Sequence, residues 1–341
     1  MYFGASFVLK VTLVGVAATM VLYLSQERLF STDKVPPLEK LVLATPQIPF
    51  SSLIFLAKHN DLFTKHGLDV QIVITESGKE ALELTLAGKA DIAAVATLPV
   101  VYAVNNGATP RILAVISKSD YEHSVVARSS IASPADLKGK TIGTIAGTSA
   151  QFYLEILLTN ANLARDSVHM KNIRPQDGEN AIVNGDVDAV ALYSPWDKRA
   201  AQALGENGIV FATSLHTTHW TLTSDARFVE AKPSAAKKML QALLGAQTLA
   251  VKQREASLKI VADEIDIPLT DLDDYWDLYS FEVQLRQSLI STLEREMQWI
   301  RLQTNVSDTR QSPSSEMPDF LDNISFTALE SVKPSTIRIT R

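Results

Sequence analysis

The chain has no cysteine among its 341 residues. Disulfides, thiolate metal sites, cysteine nucleophiles and a lipid-modified N-terminal cysteine are excluded together. The compartment stays open, because a large exported domain can do without disulfides. A long basic run is missing too, and the formal net charge is −6, so nothing points to nucleic acid. There is no low-complexity tract and no internal repeat at a fixed short period. Two phosphate-cradling glycine loops also fail, each at a named position. In TIGTIAGTSAQFYLEILL (Thr141–Leu158) the glycines are Gly143 and Gly147, which do not make G-x-G-x-x-G. Gly139-Lys140-Thr141 matches the end of a Walker loop, but Pro134 stands where its first glycine belongs, and the triplet precedes its strand.

What is present is an ordinary globular composition, 46% hydrophobic and 21% charged, at a length that suits two domains. The N-terminus stands apart. Val11–Leu24 is an uncharged apolar run, and Tyr2–Leu24 carries only Lys10 as a charge. Its core length fits a signal peptide, but Leu22-Tyr23-Leu24-Ser25 is a poor cleavage site. Counted from Tyr2, the run is long enough to span a bilayer. Residues 1–30 are therefore expected to be a signal peptide or a membrane anchor. Either way the rest of the chain is expected outside the cytoplasm: in the periplasm, free or tethered by residues 2–24.

From Leu38 the pattern turns α/β. Strands are expected at Lys40–Thr45, Leu68–Ile74, Asp91–Ala96 and Arg111–Ser117. Helices are expected between them at Ser51–His66, Lys79–Ala87 and Pro99–Asn106. The pattern then restarts. Strands at Ser124–Ala127, Thr141–Ile145, Val168–Ile173, Asp188–Tyr193 and Ile209–Ala212 alternate with helices, among them Pro175–Asn184 and Pro195–Leu204. Two α/β units in tandem follow, each a mostly parallel sheet flanked by helices. After Trp220 the chain reads as helices: Ser234–Val251, Glu255–Ile265 and one long helix from Leu269 to Thr304. Residues 306–318 read as a polar linker, and residues 319–341 as a last short helix and a basic tail.

Four motifs recur in an order that resembles one family. They are A-x-x-x-x-L-F-x-x-x-G-L-D-V (Ala57–Val70), L-A-G-K-A-D-I-A (Leu86–Ala93), D-L-K-G-K-T-I-G-T-I-A-G-T-S (Asp136–Ser149) and G-D-V-D-A-V…P-W (Gly185–Trp196). Together they resemble the solute-binding proteins of ABC importers for nitrate, sulfonates, taurine and thiamine-pyrimidine precursors. The S-F-E-V-Q-L-R-Q-S-L helix (Ser280–Leu289) and A-L-E-S-V-K-P (Ala328–Pro334) are similar to C-terminal features of some members. The resemblance implies a two-lobed periplasmic-binding-protein-like fold with ligand in the cleft. Lobe one would be 38–121 plus 217–305, with the C-terminal helices packed on it, and lobe two 122–216. The chain would cross between lobes near Asp120 and near His216–His219. The implied partners are a small solute, an anion or a heterocycle, and an ABC permease in the membrane, with the protein a monomer and not an enzyme. A membrane-tethered sensor and an enzyme on the same fold are the alternatives. The pyrimidine synthase of thiamine biosynthesis has such a fold, but it uses a cysteine-rich motif that this chain lacks.

Ligands of open α/β sheets bind beyond the carboxyl ends of strands. After the first strand, Gln47, Phe50 and Ser51 offer an amide, an aromatic face and a hydroxyl. Thr97 is expected to cap its helix and to point at the cleft. Gly147 would permit close approach of a ligand, and Thr148 and Ser149 would donate to it or simply cap the helix that follows. Tyr193 and Trp196 would be aromatic walls, with Trp220 near the cleft. His216 and His219 lie three apart on an expected strand, so they face opposite sides, and no metal or cofactor is expected. Asp273-Asp274 and Glu294/Glu296 read as solvated helix faces.

Overall fold

The structure is a computed structural model that describes residues 37–307 and 317–340. The apolar N-terminal run lies outside those residues, as does most of the 306–318 segment.

Apolar runs and turn residues set the order of elements. The chain forms β1 (Glu39–Pro46), α1 (Ser52–His59), α2 (Leu62–Lys65), β2 (Leu68–Thr75), α3 (Gly78–Leu86), β3 (Ile92–Ala96), α4 (Thr97–Asn105) and β4 (Pro110–Ser119). It continues through β5 (His123–Arg128), β6 (Thr141–Thr144), α5 (Ser149–Asn160), β7 (His169–Asn172), α6 (Gly178–Asn184), β8 (Ala189–Tyr193), α7 (Trp196–Leu204) and β9 (Gly208–Phe211). Next come β10 (Thr218–Asp225), α8 (Ala226–Ala231), α9 (Pro233–Lys252), α10 (Arg254–Ile265) and α11 (Leu269–Trp276). The chain closes with β11 (Tyr279–Ser280), β12 (Leu285–Arg286), α12 (Gln287–Ser307), α13 (Thr327–Val332) and β13 (Ile337–Arg338).

Two mixed sheets result, ordered β11-β4-β10-β3-β1-β2 and β7-β6-β8-β5-β9. In the first, β2, β1 and β3 run parallel. β10, which returns from the second sheet, enters antiparallel between β3 and β4. The second sheet mirrors this: β7, β6 and β8 are parallel, and β5, arriving from the first sheet, enters antiparallel between β8 and β9. Each sheet is thus completed by a strand that has just crossed from the other. Every residue of β3 (IAAVA) and β8 (AVALY) is buried, because helices cover both faces of these inner strands. The two crossings, Asp120–Glu122 and Ala212–Thr217, are tied together by Thr217 Oγ1 donating to Asp120 Oδ1 at 2.5 Å.

The late helices pack back on the first sheet's helices, α9 against α1 and α13, and α12 against α4. α12 also reaches the second lobe. Trp299 stands edge-on to Phe152 of α5, with centroids 4.9 Å apart, and its Nε1 donates to Glu155 Oε2 at 3.1 Å.

Three sequence expectations need correction. The helix expected over Ser51–His66 is two helices. Asp61 breaks it in the left-handed region (φ 55°), a conformation that a short polar side chain tolerates, while the Asn60 amide bonds back to the Leu56 carbonyl at 2.9 Å. The helix expected from Leu269 to Thr304 is interrupted at Asp277–Arg286, so the supposed Ser280–Leu289 helix is mostly extended chain. There Tyr279 and Ser280 pair with β4, and Gln284 exchanges both backbone bonds with Val115 (2.9 and 3.0 Å). The helix expected after Asp319 is a short 3₁₀ turn, Phe320–Asn323, then α13. Ile324 between them bridges to Ile112.

β10 is an inner strand of the first sheet, and Leu222 at its centre is fully buried. Leu222→Ala is expected to destabilise the protein by about 2–5 kcal/mol. The loss will be read as a lower urea midpoint with an unchanged m-value.

Candidate functional site

The carboxyl ends of β1, β3, β6 and β8 and the first residues of β5 and β10 converge on the cleft between the two sheets. Facing side chains close there on a cavity of about 20 Å³, room for about one water. Lobe one contributes Phe50, Ser77, Gly78, Lys79 and Trp220. Glu122 comes from the crossing, and Thr148, Ser149 and Tyr193 from lobe two.

Phe50 and Trp220 stack with centroids 5.4 Å apart and planes 5° from parallel. Tyr279 meets Phe50 edge-on at 5.2 Å. The indole is held from behind by the start of α3. A Cβ at Gly78 would lie 2.7 Å from the Trp220 ring, so only glycine lets this helix come so close. Ser77 caps α3, its Oγ accepting from the Glu80 amide at 3.2 Å. Trp220 Nε1 has no hydrogen-bond partner among the described residues.

Glu122 is buried in this aromatic wall. Its Oε2 accepts from the Tyr279 hydroxyl, and its Oε1 has no partner among the described residues. Burial pushes its pKa well above the carboxylate range, and nearby Asp197 adds to this, while the Tyr279 bond and Lys198 work against it. Burial, then Glu122 itself, raises the Tyr279 hydroxyl, so the phenol keeps its proton and donates. Asp197 is fully buried but well served, accepting from Ser124 Oγ (2.8 Å) and Ser194 Oγ (3.0 Å), with Lys198 Nζ at 3.4 Å.

Next to Glu122, His123 pairs its Nε2 with Ser149 Oγ at 3.0 Å and stacks on Tyr153 at 5.6 Å. Burial, then the neighbouring His216, lowers its pKa to about 3, so the ring is neutral. Lys79 is the cation nearest the cavity. Its side chain is 43% exposed, and Nζ reaches the Ala146 carbonyl across the cleft at 3.4 Å. Two further contacts join the lobes at the rim. Tyr193 OH donates to the Glu76 carbonyl (3.4 Å), and Gln176 Nε2 donates to Glu76 Oε1 (3.1 Å). Outside them lies a mixed-charge groove of about 620 Å³, lined by Glu76, Glu80, Lys171 and Arg174 among others.

Of the ten residues singled out from sequence, five line the cavity: Phe50, Thr148, Ser149, Tyr193 and Trp220. Gln47 and Trp196 line an outer groove instead. The Gln47 amide is spent on the Glu264 carbonyl (2.7 Å), and the Arg199 guanidinium covers Trp196 at 4.9 Å. Ser51 is buried behind the wall, its hydroxyl 2.7 Å from that of Thr45. Thr97 does not cap α4, whose N-cap is Ala96. Its hydroxyl turns away to donate to Glu296 Oε1 at 2.8 Å. Glu296 is thereby corrected too: it is fully buried, 3.4 Å from His216 Nε2, not on a solvated face. Gly147 adopts φ +73°, and its amide donates to Gln151 Oε1 at 2.8 Å. Neither Thr148 nor Ser149 caps α5 through its side chain. Thr148 Oγ1 donates to the Ile145 carbonyl at 2.7 Å, and Ser149 is held by His123.

Glu122, His123 and Lys79 escaped sequence reasoning. The first two had one available signal. A Glu-His pair sits where one apolar strand ends and the next begins, in the short link between the units.

The neutral histidine has a pH consequence. Unfolded, His123 takes a proton below about pH 6.5. Folded, it resists until about pH 3. Its contribution is therefore complete above pH 6.5 and is lost as the pH falls towards 3, by about 1.4 kcal/mol per pH unit. Thermal melts between pH 7 and 4.5 are expected to fall less steeply for His123→Gln than for wild type. The difference between the two isolates His123 from Glu122, whose raised pKa works in the opposite direction.

Comparison with known proteins gives this geometry a context. A family model described as NMT1/THI5 like matches residues 49–257. A candidate aliphatic sulfonates-binding protein of Escherichia coli is 26% identical over 226 residues, covering 65% of this chain and 71% of that protein. The crystal structure of the alkanesulfonate-binding protein SsuA of Xanthomonas axonopodis pv. citri, bound to MOPS, is 21% identical with a TM-score of 0.71. The match covers 80% of this chain and 96% of that one. The periplasmic nitrate-binding protein NrtA of Synechocystis PCC 6803 matches at 14% identity and a TM-score of 0.69, covering 87% and 89%. At these identities the solved structures establish the periplasmic-binding-protein fold. The family model spans more than half of the sequence, and the chain belongs to the NMT1/THI5-like family.

Proposed function

We propose that the protein is an extracytoplasmic solute-binding protein of an ABC importer. It captures one small solute between its lobes and presents the closed form to a membrane permease, as a monomer and without chemical turnover. The observation that carries this reading is the cavity between the lobes. Residues of both lobes wall it, among them Glu122 and Trp220, whose buried Oε1 and Nε1 have no hydrogen-bond partner among the described residues. Such atoms cost stability, and a solute that paired with them would offset that cost.

Lobe one is taken as 38–121 with 217–305, and lobe two as 122–216. The solute seat comprises Phe50, Trp220, Tyr193, Thr148, Ser149 and Glu122. The enzyme reading has less support. His123, the histidine beside the cavity, is held neutral between Ser149 and Thr218. Among the described residues, no helix is long and apolar enough to cross a membrane.

A screen by thermal shift over small sulfonates, nitrate, pyrimidines and amines is expected to give saturable stabilisation by one class, of about 2.7 kcal/mol at a hundredfold excess over Kd. The bound solute should be recovered unchanged. Gly78→Ala, which drives the Trp220 ring out of place, is expected to weaken that binding at least tenfold. A solute consumed on incubation, or a Gly78→Ala variant that binds normally, would overturn the assignment.

A further inference from the structure

We propose that the solute of this site is an organic cation, a protonated amine or amidine whose N–H groups are taken by the Glu122 carboxyl against the Phe50–Trp220 wall. The proposal rests on the solute-binding reading above and narrows it to one class of charge.

Three observations carry it. Glu122 is only 2% exposed and lines the cavity, and its Oε1 has no partner. One oxygen of this carboxyl is thus buried without a partner among the described residues. The walls around it are aromatic: Phe50 and Trp220 stacked, Tyr279 edge-on to Phe50 and bonded to Glu122, and Tyr193 opposite. Ring faces beside a carboxyl form a receptor for a positive group, which the ring quadrupoles attract and the carboxyl neutralises.

The third observation is the charge balance. Among the described residues no cation pairs directly with Glu122, and Lys198 acts on it only at a distance. Lys198 lies at 3.4 Å from Asp197, His123 is neutral, and Lys79 stands at the partly exposed rim against the Ala146 carbonyl. A sulfonate or nitrate in the cavity would lie near buried Asp197 and would hold Glu122 in its protonated form, and among the described side chains that line the cavity the indole is the one buried nitrogen without a partner. A cation instead supplies the missing partner of the carboxyl and lets it ionise in place. The Trp220 N–H is then free for an acceptor atom elsewhere on the solute. The cavity as it stands holds about one water, so a solute enters by parting the lobes at the rim contacts of Glu76 and Lys79.

The test uses matched pairs that differ in charge and little in shape: benzamidine against benzenesulfonate, methylguanidine against nitrate, and ethylamine against ethanesulfonate. Each is titrated into the wild-type protein and into Glu122→Gln at pH 7, with thermal shift and calorimetry as readouts. Glutamine keeps the size of the side chain and an oxygen for the Tyr279 hydroxyl. The variant is therefore expected to melt at or above the wild-type temperature. At least one cation should stabilise the wild type saturably, its anionic counterpart should not, and Glu122→Gln should weaken the cation at least tenfold. An anion that stabilises the wild type would overturn the cation assignment and leave the solute-binding reading standing. Cation binding that is equal in Glu122→Gln would also overturn it. Stabilisation by no member of any pair would count against both.

Discussion

The structure depends on an exchange of strands between two sheets. β10 lies antiparallel between β3 and β4, and β5 lies antiparallel between β8 and β9, so each sheet is closed by a strand that has just arrived from the other. Inner-strand positions bury both faces and use every backbone group, so neither strand can shift without undoing its sheet. The first residues of β5 and β10 are thereby fixed at the floor of the cleft. His123 begins β5, Thr218 begins β10, and Trp220 follows two residues later. The proposed seat lies where the chain has least freedom.

Stability and the proposed binding pull against one another at that floor. A carboxyl and an indole N–H, each buried without a partner for one polar atom, are not what a stable core selects. The surroundings limit the damage. Tyr279 satisfies one oxygen of Glu122, Ser124 and Ser194 satisfy Asp197, and Ser149 satisfies His123. Among the residues that line the cavity, Glu122 and Trp220 each keep one buried polar atom without a partner among the described residues. The same α3 start that presses on Trp220 through Gly78 places Lys79 at the rim, so one helix terminus positions both a wall and a charge.

Much of the fold was legible in the sequence, because short apolar strands and glycine-ended helices leave periodic signals. The boundaries of β1, β2, β3 and β8 fall within about two residues of expectation. The failures have local physical causes. The apolar residues from Tyr279 to Leu285 (Tyr279, Phe281, Val283, Leu285) recur with a period of two and are all buried, yet the stretch sits between two helices whose apolar spacing masks it. Asp61 breaks a helix through a backbone conformation that no periodicity reports. At the site, residues on strand ends and in the α5 turn were readable from the rule that ligands gather at carboxyl ends. Gln47, Ser51, Thr97 and Trp196 sit at such ends as well, but a polar side chain there is as readily taken up by a neighbour. Glu122 and His123 were not readable, since a charged pair in a short link looks like solvated surface until the sheets are seen to close over it.

α12 adds a constraint of another kind. Two crossings tied side by side by Thr217 and Asp120 form a pivot about which the lobes could both bend and twist. Trp299 is anchored on lobe one through α12. It gives a third point of attachment by resting on Phe152 and bonding to Glu155 in lobe two. A parting of the lobes that moves α5 away from α12 would therefore cost the Trp299–Phe152 ring contact and the Trp299–Glu155 bond as well as the cleft contacts.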